Sequence, residues 1–312
     1  IARDRTGWHQ VRPSPYARRI HGNTPMRLSG PAAGAPALRT QADPGGTRVL
    51  GTFANCAMGV TPWGTYLSCE ENFQGYFGGP GKAAADAPAS LSRYRVAPGA
   101  QWVDWWQHDE RFDITRHPNE AHRFGWVVEI DPMDPTATPV KRTALGRKCQ
   151  ESATCTLTPD GRVVIYMGDD TRFEYIYKFV SRDAVRPGGS AANRDLLDHG
   201  TLHVARFDEG GRGEWIALQA GRHGLTPQQG FADQASVLIN ARGAADVVLV
   251  MVREPNFADA GAVANRVARV VPEHLTSTTA TRVTPDRTLA PRISPTARAP
   301  TAPEWCRGSV GR

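Results

Sequence analysis

One short run of residues has the types and spacing to do chemistry. Within NCAMGVTPWGTYLSCEENFQGYFGG, Asn55 to Gly79, a cysteine stands directly against two carboxylates as Cys69-Glu70-Glu71. A core thiol is stabilised by apolar neighbours, and a thiolate repels adjacent anions unless a cation sits among them, so the run points to an exposed accident or to a metal. Other carboxylates gather at Asn119-Glu120, Glu151 and Asp169-Asp170. Singly, each has an ordinary structural reading: Asp169-Asp170 as a turn bonding its own backbone, Asn119-Glu120 as a loop cap. Together they suit a hard cation such as calcium, which gathers roughly six to eight oxygens from scattered loops. A thiolate is a softer ligand, so Cys69 beside Glu70 points to a transition metal such as iron, with oxygen-ligated cations nearby. If the segment is extended, Cys69 and Glu71 share one face and Glu70 takes the other, and a bend at the strand end brings Cys69 and Glu70 to one cluster.

Nucleophilic machinery is not evident. The sequence has no G-x-S-x-G elbow, no phosphate-binding G-x-x-x-x-G-K-[ST] loop and no H-E-x-x-H, and none of its nine His is paired at metal-ligand spacing on a helix. If the chain is an enzyme, bound metals are the source of its reactivity. Five cysteines without a C-x-x-C pair argue against a zinc ribbon or a dense disulfide framework. Cys149 and Cys155, six positions apart, could bridge in an oxidising compartment; two ordinary thiols is the alternative.

The elements that must position these groups are short strands. RVLGTFA (Arg48 to Ala54), GTYLSCE (Gly64 to Glu70), GWVVEIDP (Gly125 to Pro132), RVVIYMGDD (Arg162 to Asp170), YIYKFVS (Tyr175 to Ser181), GTLHVARFD (Gly200 to Asp208) and VVLVMV (Val247 to Val252) are rich in Val, Ile, Tyr and Thr and bounded by Gly, Pro, Asp and Asn. The pattern predicts an all-β chain. LTPDGRVVIYMGDD and LHVARFDEGGRGEWIAL each set a strand beside a D-G or G-G turn, as in a propeller blade, and a sandwich accounts for the spacing equally well. Ala83 to Ala100, rich in Ala, Pro and Ser, suggests a surface insertion. The following Trp102, Trp105 and Trp106 either cap a core or form a stacking surface for substrate.

Composition excludes several classes. No apolar run reaches the roughly 20 residues of a membrane helix, and residues 1 to 30 carry no apolar signal core, so membrane insertion and an export signal within the chain are not expected. The first residue is Ile1, which suggests a piece of a longer protein. The pI of 9.3 does not argue for a nucleic-acid partner. Nine Arg and no Lys against five acids between Val252 and Arg312 carry four of the six net positive charges, and no basic run or RNA-binding signature precedes them. That segment, with TSTTATRVTPDRTLAPRISPTARAPTAPEW, has too little apolar surface to offset ordering entropy, so residues 252–312 are expected to be a disordered tail after a domain of residues 1–251.

GTFANCAMGVTPWGTYLSCEENFQGYFG (Gly51 to Gly78) closely resembles the signature of PhoX-type alkaline phosphatases, secreted bacterial enzymes that use iron and calcium. The resemblance continues through SPYARRIHGNTPMRLSGPAAG (Ser14 to Gly34), RFDITRHPNEAHRFGWVVEIDP (Arg111 to Pro132), ALGRKCQESAT (Ala144 to Thr154), VVIYMGDDTRFEYIYKFVS (Val163 to Ser181) and GTLHVARFDEGGRGEWIAL (Gly200 to Leu218), in order over residues 1–246. It implies a six-bladed β-propeller, incomplete in this chain, with the metals at one mouth of the channel. It implies that Cys69, Glu70 and Glu151 hold metal, that small phosphate monoesters are the substrates, and that the protein is a periplasmic or extracellular monomer. The alternative is a non-catalytic, calcium-stabilised propeller that binds a partner or a carbohydrate. Gln150 stands where the family pattern has His. After Arg242 to Asp246 the family's D-R-P-E segment is replaced by VVLVMVREPNFADA, in which Arg253-Glu254 is only an echo. These departures predict an inactive fragment whose residues from Val247 onward are a frame-shifted translation.

Overall fold

Thirteen short strands carry the architecture of the computed structural model, whose described residues are 2–82, 88–99, 101–208 and 210–249. β1 (Ala2–Asp4) and β2 (Gly7–His9) form a small hairpin. β3 (Pro25–Ser29), β4 (Arg48–Leu50), β5 (Asn55–Val60), β6 (Tyr66–Glu70), β7 (Val127–Ile130) and β8 (Val140–Arg142) make a six-stranded sheet in the order β4-β3-β8-β7-β6-β5. Its pairings are antiparallel except β3 with β8, which run parallel with Arg27 opposite Val140. β9 (Thr154–Leu157), β10 (Arg162–Gly168), β11 (Ile176–Ala184), β12 (Gly200–Phe207) and β13 (Gly213–Ala217) form an antiparallel five-stranded meander.

Local chemistry fixes the hairpins of that meander. Between β9 and β10 the chain turns at Asp160-Gly161, where Gly161 takes φ +81° and the Thr158 hydroxyl accepts from the Arg162 amide at 2.9 Å. β10 buries Val163, Val164, Ile165 and Met167, and β11 answers with Tyr177 and Phe179. In the six-stranded sheet, β6 lies between β5 and β7, so Leu67, Ser68, Cys69 and Glu70 are all buried. Beside it an aromatic cluster gathers Phe53, Phe77, Phe112 and Phe124, with Phe53 stacked on Phe124 at 4.3 Å.

Among the described residues four short helices accompany the sheets: α1 (Ala89–Ser92), α2 (Gly189–Asn193), α3 (Gln234–Ile239) and α4 (Ala241–Val248). α3 opens on a capping box in which the Ser236 amide donates to Asp233 at 2.8 Å. Two corrections follow. Val247 and Val248, expected in a strand, close helix α4, and residues 250–252 lie outside the described residues. The stretch expected as a surface insertion buries Leu91, Tyr94 and Val96 in the core, although residues 83–87 and 100 are not described.

The β-rich expectation is met, with two open sheets and no closed barrel among the described residues. Cys149 and Cys155 are free thiols, not a bridge. The tail expected over residues 252–312 and the Arg253-Glu254 echo lie outside the described residues. No helix among the described residues is long and apolar enough to cross a membrane.

Candidate active site

The three expected ligands fall in different surroundings. Cys69, opposite Val127 of β7, is wholly buried, and burial pushes its thiol up to about 12, with the Lys148 ammonium partly offsetting this. Glu70 is also fully buried, and its carboxylate is already engaged. It accepts from the Lys141 ammonium at 2.7 Å and from the amides of Gly125 and Trp126 at 3.0 and 3.1 Å. Burial pushes the Glu70 carboxyl up and Lys141 down to about 8, while each pulls the other back towards its charged form. Both side chains thus face the interior, and the Glu70 carboxylate is taken up by Lys141 and two backbone amides. Glu151, in contrast, is exposed.

Beyond Glu70 comes Glu71, still buried, whose amide donates to the Ala54 carbonyl at 3.0 Å. Facing it is Cys56. Asn55 pairs with Glu70 but Met58 with Ser68, so one extra residue is accommodated on β5, a bulge at Cys56-Ala57. Such a bulge re-aims a side chain and frees an amide; here the Ala57 amide donates to the Glu151 carbonyl at 3.0 Å. The Cys56 thiol hydrogen-bonds to the Glu71 carboxylate, which with burial pushes the thiol up. Burial raises Glu71, and Asp170 on its other side raises it further while Cys56 and Asn72 lower it.

Asp170 and Glu151 are brought alongside by a backbone weave. The Asp170 amide donates to the Cys149 carbonyl at 3.0 Å, Gln150 bridges to Asp169, and the Gln150 amide donates to the Glu70 carbonyl at 2.9 Å. Behind the weave Asp169 is clamped by Arg242 at 2.7 and 2.6 Å. Arg242 and Arg147 lie 4.7 and 4.2 Å from the Tyr94 ring centre. The Gln150 side chain is buried and donates to the Gly146 carbonyl at 2.7 Å, inward from the exposed groups.

Cys56, Asp170 and Glu151, all exposed, therefore gather around the buried Glu71, and among the described residues no cation pairs with these three carboxylates. Sequence reasoning passes over Cys56 because it has no acidic neighbour in the chain; only the bulge sets it against Glu71. As they stand, no group of three or more His, Cys, Asp or Glu among the described residues is arranged to hold a metal ion. In chemistry the set still suits one, with a soft thiol beside hard carboxylates.

A family model for the alkaline phosphatase PhoX matches residues 1–258. This chain belongs to the PhoX alkaline phosphatase family. A solved structure, Pseudomonas fluorescens PhoX in complex with vanadate, a transition state analogue, is 54% identical with a TM-score of 0.75, covering 79% of this chain and 44% of that one. The chain thus spans less than half the length of that PhoX. No curated protein matches it. The PhoX match runs past Asp246, where the resemblance was expected to stop, to residue 258.

Proposed function

We propose, in place of the inactive fragment expected from the sequence, that this chain hydrolyses phosphate monoesters at the site formed by Cys56, Glu71, Glu151 and Asp170, with metal ions held there. The observation that carries the reading is the convergence of three carboxylates and an exposed thiol with no compensating cation among the described residues, in a chain similar to a vanadate-bound PhoX. Iron and calcium, the metals the resemblance implies, supply Lewis-acid charge neutralisation and a template for in-line displacement at phosphorus.

The chain's own groups have distinct tasks. Glu71 and Asp170 face each other, and the Asp170 carboxylate together with burial pushes the Glu71 carboxyl up, so a cation placed between them would relieve their repulsion. Cys56 would be the soft donor to such a metal, and Glu151 would complete the set from the neighbouring segment. Glu70 and Cys69 stand behind: Glu70, locked by Lys141 and the 125–126 amides, fixes the end of β6 from which Glu71 projects. The two sheets support a further reading as blades of an incomplete six-bladed propeller, and the resemblance supports a monomer acting in the periplasm or outside the cell.

The test is hydrolysis of a chromogenic phosphate ester by the 312-residue chain with iron and calcium supplied, together with elemental analysis. Turnover with both metals retained, and loss of both on Cys56→Ser, is the expected result. Calcium retained without iron and without turnover would replace this reading with a calcium-stabilised scaffold for a partner or carbohydrate.

A further inference from the structure

Beside the Glu71–Asp170 pair the surface opens into a cleft of about 360 Å³, lined by Asn72, Gln74, Arg95, Trp102, Asp170 and Arg172. Asn72 and Asp170 are the two residues that also touch Glu71, so the cleft adjoins the proposed reaction site. Arg95 and Arg172 are exposed, and neither forms an ion pair among the described residues.

Trp102 is the second unusual lining residue. Trp105 and Trp106 of the same run pack against the core, yet Trp102 remains 66% exposed. It is nevertheless held in place. A Cβ built on Gly75 would come 1.5 Å from the Trp102 Nε1, so the indole lies directly on the Gly75 backbone. The Val103 amide also donates to the Gly75 carbonyl at 3.2 Å. Glycine is required at position 75 for that approach.

The backbone around the cleft is strained. Arg95, Asp104 and Phe173 adopt φ of 59°, 53° and 69°, in the left-handed region that non-glycine residues avoid. Such residues persist where surrounding structure over-determines them, and they cluster at ligand sites. Asp104 shows how: its carboxylate accepts from the Gln101 amide at 2.6 Å and the Trp106 indole at 2.8 Å, fixing the loop that carries Trp102.

Resting on the phosphatase reading, we propose that this cleft is the leaving-group subsite and that it selects terminal phosphoryl groups, ester or anhydride, whose leaving group carries a flat aromatic ring and further negative charge. A nucleoside diphosphate meets both requirements. The base stacks on Trp102, and the phosphate that remains with the nucleoside is met by the forked donors of Arg95 and Arg172. In the reaction a water oxygen bonds to the terminal phosphorus, the P–O bond to the nucleoside monophosphate breaks, and the water proton passes to solvent. A sugar phosphate lacks the ring, and a simple aryl phosphate lacks the second charge.

The experiment compares kcat/KM of the 312-residue chain for adenosine diphosphate and for glycerol phosphate, alongside calorimetric titration with adenosine diphosphate. Trp102→Ala is expected to lower the adenosine diphosphate to glycerol phosphate ratio roughly tenfold, the scale of base stacking on an aromatic side chain. Trp102→Phe should restore most of it. Gly75→Ala, which pushes the ring away and removes no group, should act in the same direction, as should Arg95→Ala combined with Arg172→Ala. An unchanged ratio in all variants overturns the subsite. If the unmodified chain hydrolyses neither compound, the phosphatase reading fails and the titration decides alone. Binding weakened by Trp102→Ala and by the double arginine variant keeps the subsite, and binding that is absent or insensitive to both removes it.

Discussion

Lys141 lies beneath Glu70 with its ammonium 2.7 Å from the carboxylate, both side chains sealed from solvent. The ammonium also donates to the Arg123 carbonyl at 3.0 Å and sits 3.7 Å from the Phe124 ring centre. A buried pair of this kind does little net work for stability when whole, but removing one partner leaves an uncompensated charge. Lys141→Met is therefore expected to destabilise the fold by about 3–5 kcal/mol. Lys141→Met with Glu70→Gln should recover part of that loss. Urea denaturation of the two variants checks it; a double variant no more stable than the single one would refute the pairing.

The two cysteines of the signature run should behave in opposite ways. Cys56 is exposed and Cys69 buried, so a thiol reagent added to the native protein should modify Cys56 and spare Cys69, with peptide mapping as the readout. Cys69→Ser puts a hydroxyl into a site without a hydrogen-bond partner and is expected to cost about 1–3 kcal/mol. Cys56→Ser, at the surface, should change stability by less than about 0.5 kcal/mol while removing bound metal.

How far the sequence discloses this arrangement depends on the reach of the contact. β10, β11 and β12 are legible as runs of Val, Ile, Tyr and Phe with Asp160-Gly161 between two of them, because alternation and turn chemistry are local. The Cys69-Glu70-Glu71 run is legible as notable but not in its roles. Which of three adjacent residues faces a site depends on Lys141, 71 residues from Glu70, and on a one-residue bulge in the neighbouring strand that leaves no mark in composition. α3 and α4 had a visible signal in Asp233 with Ser236 three residues on, but the following valines read as strand because β-branched residues favour both a strand and a buried helix face.

Acid should weaken the fold through His122. Burial, with a contribution from the Arg147 guanidinium, pushes this imidazole from 6.5 down to about 3, and its Nε2 lies 2.9 Å from the Ser90 hydroxyl. Between those values the unfolded chain binds a proton that the folded one refuses, so stability falls as pH drops from about 6.5 towards 3, by up to about 1.4 kcal/mol per pH unit. His122→Gln removes this group and should flatten the slope of stability against pH over that window. Parallel slopes for the two proteins would show that His122 is not the group responsible.

A glycine in β5 lets the two sheets approach closely at the site. A Cβ on Gly59 would stand 1.8 Å from the Ala153 carbonyl oxygen, a backbone atom that cannot swing aside. Gly59→Ala should therefore force β5 from the segment that carries Glu151, at a cost of roughly 1–3 kcal/mol. Metal content should fall with it, and a fully loaded Gly59→Ala protein of normal stability would contradict this packing.

The parallel pairing of β3 with β8 also sets a timetable for the chain. The meander from β9 to β13 closes by successive hairpins, each joining neighbours in sequence, whereas Ser29 must meet Arg142 across 113 positions. Loop-closure entropy and non-local contact order both slow such a pairing. During synthesis β3 and β4 emerge long before the strand that will hold them, and through that interval their amide edges are open to other chains. Pulse-labelled amide exchange during refolding should find the β10–β11 amides protected before those of β3, and the reverse order would contradict this timetable.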